Sequence, residues 1–68
     1  MPDTPIVFEN VEVLTSTDCA LRCRVQGQVV FVGRLQILAG TTVRRPGDVG
    51  RLIVPGWAVR DLGLPEPR

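Results

Sequence analysis

From Cys19 to Gln26 the chain alternates without a break. Cys19, Leu21, Cys23 and Val25 take one parity; Ala20, Arg22, Arg24 and Gln26 take the other. A period of two is incompatible with an amphipathic helix and marks a strand with one dry face and one wet face. It places Arg22 and Arg24 outward and both thiols inward. Four residues along a strand span about 13 Å, whereas a disulfide needs Cα atoms within about 7 Å. The two cysteines are therefore expected to be reduced, buried and acting as small hydrophobes.

The rest of the sequence reads as further short strands broken by turn residues. Residues 1–5, with Pro2 and Pro5, form an extended lead-in. Ile6 to Leu14 is β-branched and apolar, and reads as strand one. Its alternation slips at Glu9-Asn10, because Ile6 and Phe8 share one parity and Val11 and Val13 the other; a bulge there restores a single buried face. Thr15 to Asp18 is a polar turn, Cys19 to Gln26 strand two, Gly27 a tight turn and Gln28 to Val32 strand three. Gly33 to Gly40 fits neither a long helix nor a clean strand and is read as a short turn or 3₁₀ segment. Thr41 to Arg45 is expected as strand four, Pro46-Gly47-Asp48 as a turn and Gly50 to Val54 as strand five, hairpinned to strand four. Pro55 suits the start of a helix over Trp57 to Leu62, with Gly63 its C-cap and Leu64 packing back.

Sixty-eight residues make one domain, and a domain of this size buries only about 60% of its unfolded surface. Closing the sheet would remove vulnerable edges. The expected fold is all-β: a small five-stranded SH3-like or OB-like barrel over 6–64 with a short C-terminal helix, followed by a tail at 65–68. Phe8, Phe31 and Trp57, the only aromatics, are expected in its core. No apolar run approaches the roughly 20 residues of a membrane span, and the N-terminus lacks a signal-peptide pattern; a cytoplasmic location and no membrane partner are expected. The chain has no histidine and no tyrosine. Histidine is the commonest general acid–base, and two thiols alone do not make a zinc site. There is no GxGxxG and no Walker lysine. The expectation is no enzyme, no cofactor, no metal and no small-molecule substrate.

What stands out is charge. Between Cys19 and Arg60 lie seven arginines and one acid, Asp48, while the preceding residues carry Asp3, Glu9, Glu12 and Asp18 and no base. There is no lysine. Arginine's planar fork suits phosphate, carboxylate and stacked partners. Glu9 or Glu12 on strand one can face Arg22 or Arg24 across the meander. That leaves Arg44, Arg45 and Arg51 beside the strand four–five turn, Arg34 on the connecting segment and Arg60 on the helix as the partner-binding candidates, for a protein or a nucleic acid. Exposed aromatics, which single-strand binders use as stacking platforms, are not expected.

Two resemblances bear on this. Phe8-Glu9-Asn10-Val11, Ala20-Leu21, the stretch Gly27 to Ile37, and Gly47-Asp48-Val49-Gly50-Arg51-Leu52 through Trp57 to Gly63-Leu64 resemble, over nearly the full length, a family of small uncharacterised bacterial and phage or prophage proteins. That family's pattern runs F-x-N-V, then W-V-P-x-S-Q-I, then G-D-x-G-x-L-V-V-x-x-W-x-A-x-x-x-G-L. Phe31 stands where the family has Trp, Gly33 for its Pro, Leu35 for its Ser and Val59 for its Ala. The resemblance implies an accessory role of adaptor or inhibitor type. Separately, Thr42-Val43-Arg44-Arg45 with Gly50-Arg51-Leu52-Ile53-Val54-Pro55 and Leu62-Gly63-Leu64 is similar to the core of AbrB-type looped-hinge regulators, which implies a swapped dimer reading DNA through arginines. The leading expectation is a non-enzymatic module that binds a protein partner through an arginine-rich face. The alternatives are a nucleic-acid-binding barrel and an AbrB-type regulator.

Overall fold

The computed structural model describes residues 4–64. Residues 1–3 of the lead-in and the tail 65–68 lie outside the described residues. The elements in order are β1 (Pro5–Ser16), β2 (Ala20–Val25), β3 (Gln28–Gly33), a 3₁₀ turn (Arg34–Gln36), β4 (Val49–Pro55) and α1 (Gly56–Asp61). They form one antiparallel sheet in the order β3-β2-β1-β4. The fold is thus β-rich with a short helix, as the alternation implies. It has four strands rather than five, and the sheet is open rather than a closed barrel.

β1 is long because it is bent. Glu9 and Asn10 together oppose Arg51, between the pairs Phe8↔Leu52 and Val11↔Gly50. This is the bulge that the parity slip requires, and Asn10 takes the left-handed conformation (φ 58°), which asparagine tolerates better than most residues. A second shift between Val13 and Thr15 lets β1 serve β4 along one stretch and β2 along the next. The turn into β2 is built by Thr17, whose Oγ1 accepts from the Ala20 amide at 3.1 Å while its own amide donates to the Ala20 carbonyl at 2.9 Å. β2 and β3 are joined by a two-residue loop, Gln26-Gly27, both with positive φ (51° and 80°). That is the turn whose twist matches an antiparallel hairpin.

The inner face holds Phe8, Val11, Val13, Leu21, Cys23, Val25, Val32, Leu52 and Val54, each at most 1% exposed. Val43, Ala58, Val59 and Leu64 close it from outside the sheet. α1 ends as its sequence demands. Leu64 N–H donates to the Val59 carbonyl and Gly63 N–H to the Arg60 carbonyl, both at 3.1 Å, with Gly63 at φ 71°. These two bonds define a Schellman cap, and its Leu64 is buried against the core.

The predicted fourth strand is the largest departure. Thr41 to Arg45 keeps the alternation, with Thr41 and Val43 buried and Thr42 and Arg44 exposed, but it is not a strand. The segment runs along the outer edge of β4 and replaces half of the ladder with hydroxyls. Leu38 and Thr42 amides donate to the carbonyls of Ile53 and Arg51 at 2.9 Å. In return, the Ile53 and Arg51 amides donate to the side-chain Oγ1 of Thr41 and Thr42, also at 2.9 Å. Thr42 approaches so closely that a Cβ on Gly50 would lie 2.5 Å from its Oγ1. β4's edge is therefore covered without a fifth strand. Pro46-Gly47 then makes the expected turn, with the Asp48 amide donating to the Arg45 carbonyl at 3.0 Å and Gly47 at φ 92°, a type II arrangement.

Three sequence expectations about burial fail. Cys19 is exposed and precedes β2, while Cys23 is buried; Thr17 and the turn it anchors take Cys19 out of the strand. Phe31 is 65% exposed and Trp57 42%, so of the three aromatics only Phe8 fills the core. Phe31 points outward because β3 turns Val30 and Val32 inward, opposite Cys23 and Leu21.

Candidate functional site

The five arginines singled out from the sequence do not share one surface. Arg51 is held by Glu9 across the bulge, Nε to Oε1 at 3.1 Å. Arg24 is likewise held by Glu12, its cross-strand partner, at 3.2 Å. Both pairs are half exposed, and such surface pairs contribute little to stability, but they neutralise the middle of the sheet's outer face. Arg60 lies in the last turn of α1, beyond the far end of β4 from the Arg44–Arg45 turn, where its charge favours the helix C-terminus. Arg51 and Arg60 thus leave the candidate cluster.

Arg34, Arg44 and Arg45 remain. Arg34 opens the 3₁₀ turn and reaches back to the β1–β2 turn: Nε and Nη2 donate to the Thr17 carbonyl at 3.0 and 2.7 Å, and Nη2 also donates to Ser16 Oγ at 2.8 Å. These bonds fix the guanidinium, and Nη1 makes no hydrogen bond among the described residues. Arg44 and Arg45 are fixed through their backbone. Both amides donate to Asp48 Oδ2 at 2.9 Å, and these bonds hold the Asp48 carboxyl below the usual carboxylate range. Their side chains make no ion pair among the described residues.

Arg34 and Arg44 line one cleft of about 260 Å³, together with Leu21, Ile37, Leu38, Ala39, Thr41 and Val43. It forms where the connection from β3 to β4 passes the start of β2. Two arginines at a recess that mixes a largely polar wall with the side chains of Leu21, Ile37, Leu38 and Val43 favour an anionic ligand that carries a small apolar group. The sequence places Arg34 and Arg44 apart, on a turn and a strand; the cleft joins them because the connecting segment leaves β3 and attaches to β4.

A second cluster lies outside the sequence expectations. On the outer face, Phe31 of β3 stands directly opposite Arg22 of β2, and Val29 opposite Arg24. Val29 is 45% exposed. The loop of Gln26-Gly27, rather than Gly27 alone, pairs Val25 with Gln28 and so sends Phe31 outward.

Burial pushes the Cys23 thiol pKa up, which keeps it protonated and poorly nucleophilic. Among the described residues no three metal-ligating side chains gather, and no helix is long and apolar enough to cross a membrane. Compared with protein-family models, curated proteins and solved structures, the chain matches none.

Proposed function

We propose that this chain is a non-enzymatic accessory module that binds an acidic segment of a protein partner at the Arg34–Arg44 cleft, with Arg45 beside it. The observation that carries this reading is that Arg34 and Arg44 line one recess, with the Arg34 guanidinium held in place by the Thr17 carbonyl and Ser16. The Arg34 guanidinium, held by these hydrogen bonds, loses little further freedom on binding, so more of its interaction shows as affinity. A partner side chain such as leucine would enter the recess while flanking carboxylates meet Arg34 and Arg44. The resemblance to small phage and prophage proteins supports an adaptor or inhibitor role, and the reduced thiols suit a cytoplasmic setting.

The test is titration of the labelled protein, followed by NMR, with a short capped peptide in which one leucine is flanked by glutamates. Shifts confined to Leu21, Arg34, Ile37, Leu38, Thr41 and Arg44, abolished by Arg44→Ala, are expected. Shifts elsewhere, or none at millimolar peptide, would refute the site.

A second reading is favoured by one specific observation. Phe31 with Arg22 on an open sheet face is a unit that could stack and neutralise a single-stranded nucleic acid, and it supports the nucleic-acid alternative over the AbrB-type one, whose matching Thr42–Arg45 stretch is not a strand here. Its signature is oligothymidine binding that falls steeply with salt and is lost in Phe31→Ala. Binding unaffected by Phe31→Ala would remove it.

A further inference from the structure

β3 is the other edge of the sheet, and it lacks the protection that β4 receives. In an antiparallel ladder, alternate residues turn their N–H and C=O away from the paired strand. Closing the Gln26-Gly27 loop on Val25 and Gln28 makes Val29 and Phe31 those residues. Neither has a backbone partner among the described residues outside the ladder. Gly33, next in the series, is sealed by Gln36, whose Oε1 accepts from its amide at 2.9 Å. The bare stretch is therefore short and defined. It also lacks the usual deterrents to edge pairing: Gln28–Gly33 contains no charge, no proline and no bulge. The side chains beside the open amides, Val29 and Phe31, are the exposed apolar pair on that strand.

We infer that β3 pairs antiparallel with β3 of a second copy of this chain, extending the sheet across a twofold axis. The strand is self-complementary in one register. With Val30 opposite the partner's Val30, Val29 exchanges both main-chain bonds with the partner's Phe31, and Phe31 does the same with the partner's Val29. All four outward-facing groups on each strand are then satisfied. On the outer face, each Phe31 side chain covers a Val29, a favourable cross-strand pair. No charge meets a like charge, because Arg34 falls opposite the partner's Gln26. A foreign strand would satisfy the same amides, but only a second copy makes every pairing reciprocal, as a closed dimer requires. Six residues a side fall below the roughly 1,200 Å² of a standard interface, so the dimer belongs in the range of about 10 μM to 1 mM.

Sedimentation equilibrium on the whole chain between about 10 μM and 1 mM tests this. The wild type is expected to shift from monomer toward dimer. Phe31→Lys and Val29→Pro are each expected to weaken association at least about tenfold. The proline removes an outward amide and leaves the β2 ladder intact, so the two variants disrupt different contacts; circular dichroism establishes that each is folded. Val49→Lys, which charges an exposed apolar site on β4, is expected to associate like the wild type. High salt should leave association unchanged, unlike binding at the arginine cleft. A wild type that stays monomeric at about 1 mM would overturn the inference, as would variants that dimerise normally, or association lost equally in Val49→Lys.

Discussion

Along β4, the outward amides of Arg51 and Ile53 are met by threonine hydroxyls, and the carbonyls of the same residues by the amides of Thr42 and Leu38. Along β3, the corresponding amides of Val29 and Phe31 meet nothing among the described residues. The two edges bound the same sheet, and the path of one segment makes them differ. The chain leaving β3 crosses to β4 instead of staying beside β3. Without a fifth strand, it closes one side with two hydroxyls and leaves the other open. The crossing also creates the arginine cleft. The lesson is that edge protection needs alternate acceptors at the right spacing, and that Thr41-Thr42 can supply them without strand geometry.

The seal on β4 is most sensitive at Thr41, which is 7% exposed. Thr41→Val keeps the shape but leaves the part-buried Ile53 amide without its acceptor. The expected loss is about 2–3 kcal/mol, read from urea unfolding. Gly50→Ala attacks the same seal from below. Its methyl group displaces Thr42, and a loss of about 1–2 kcal/mol is expected, with faster exchange of the Arg51 amide. On the open edge, the contrast should be sharp: Phe31→Lys is expected to change monomer stability by no more than about 0.5 kcal/mol, because nothing in the monomer rests on that side chain. The smallest effect concerns the Asp48 carboxyl, which caps the turn leading away from the sealed segment. Its folded pKa is depressed, so its contribution is present above the ordinary aspartate pKa of about 4 and is lost as pH falls through the lower folded value. Asp48→Asn should flatten that acid limb of a melting-temperature profile. An unchanged limb would show that the carboxylate does not hold the turn.

Much of this fold is legible from residue patterns. The alternation in β2, the parity slip at Glu9-Asn10, the Pro46-Gly47 turn and the Gly63 cap each express a local constraint that tertiary context does not override. The illegible parts have non-local causes. Thr41 to Arg45 alternates as a strand does, yet whether backbone or hydroxyl answers β4 depends on how closely Thr42 approaches Gly50. Phe31 lies in the run Val29-Val30-Phe31-Val32, where apolarity gives no parity; the register of the hairpin decides. Of the arginines, the neutralisation of Arg24 by Glu12 follows from adjacent strands in a meander. Glu9 reaches Arg51 instead, because the bulge and the β1–β4 pairing bring together residues far apart in sequence. Arg34 and Arg44 meet at the cleft only through the path of the connecting segment.

Residue-resolved amide hydrogen exchange, followed by NMR at two protein concentrations, tests the contrast between the edges most directly. The Arg51 and Ile53 amides should exchange slowly in dilute and concentrated samples alike. Those of Val29 and Phe31 should exchange fast when dilute and become protected when concentrated, while Val30 and Val32, bonded to β2, stay slow throughout. Protection of Val29 and Phe31 in the dilute sample, or fast exchange at Arg51 and Ile53, would contradict the assignment of a sealed and an open edge.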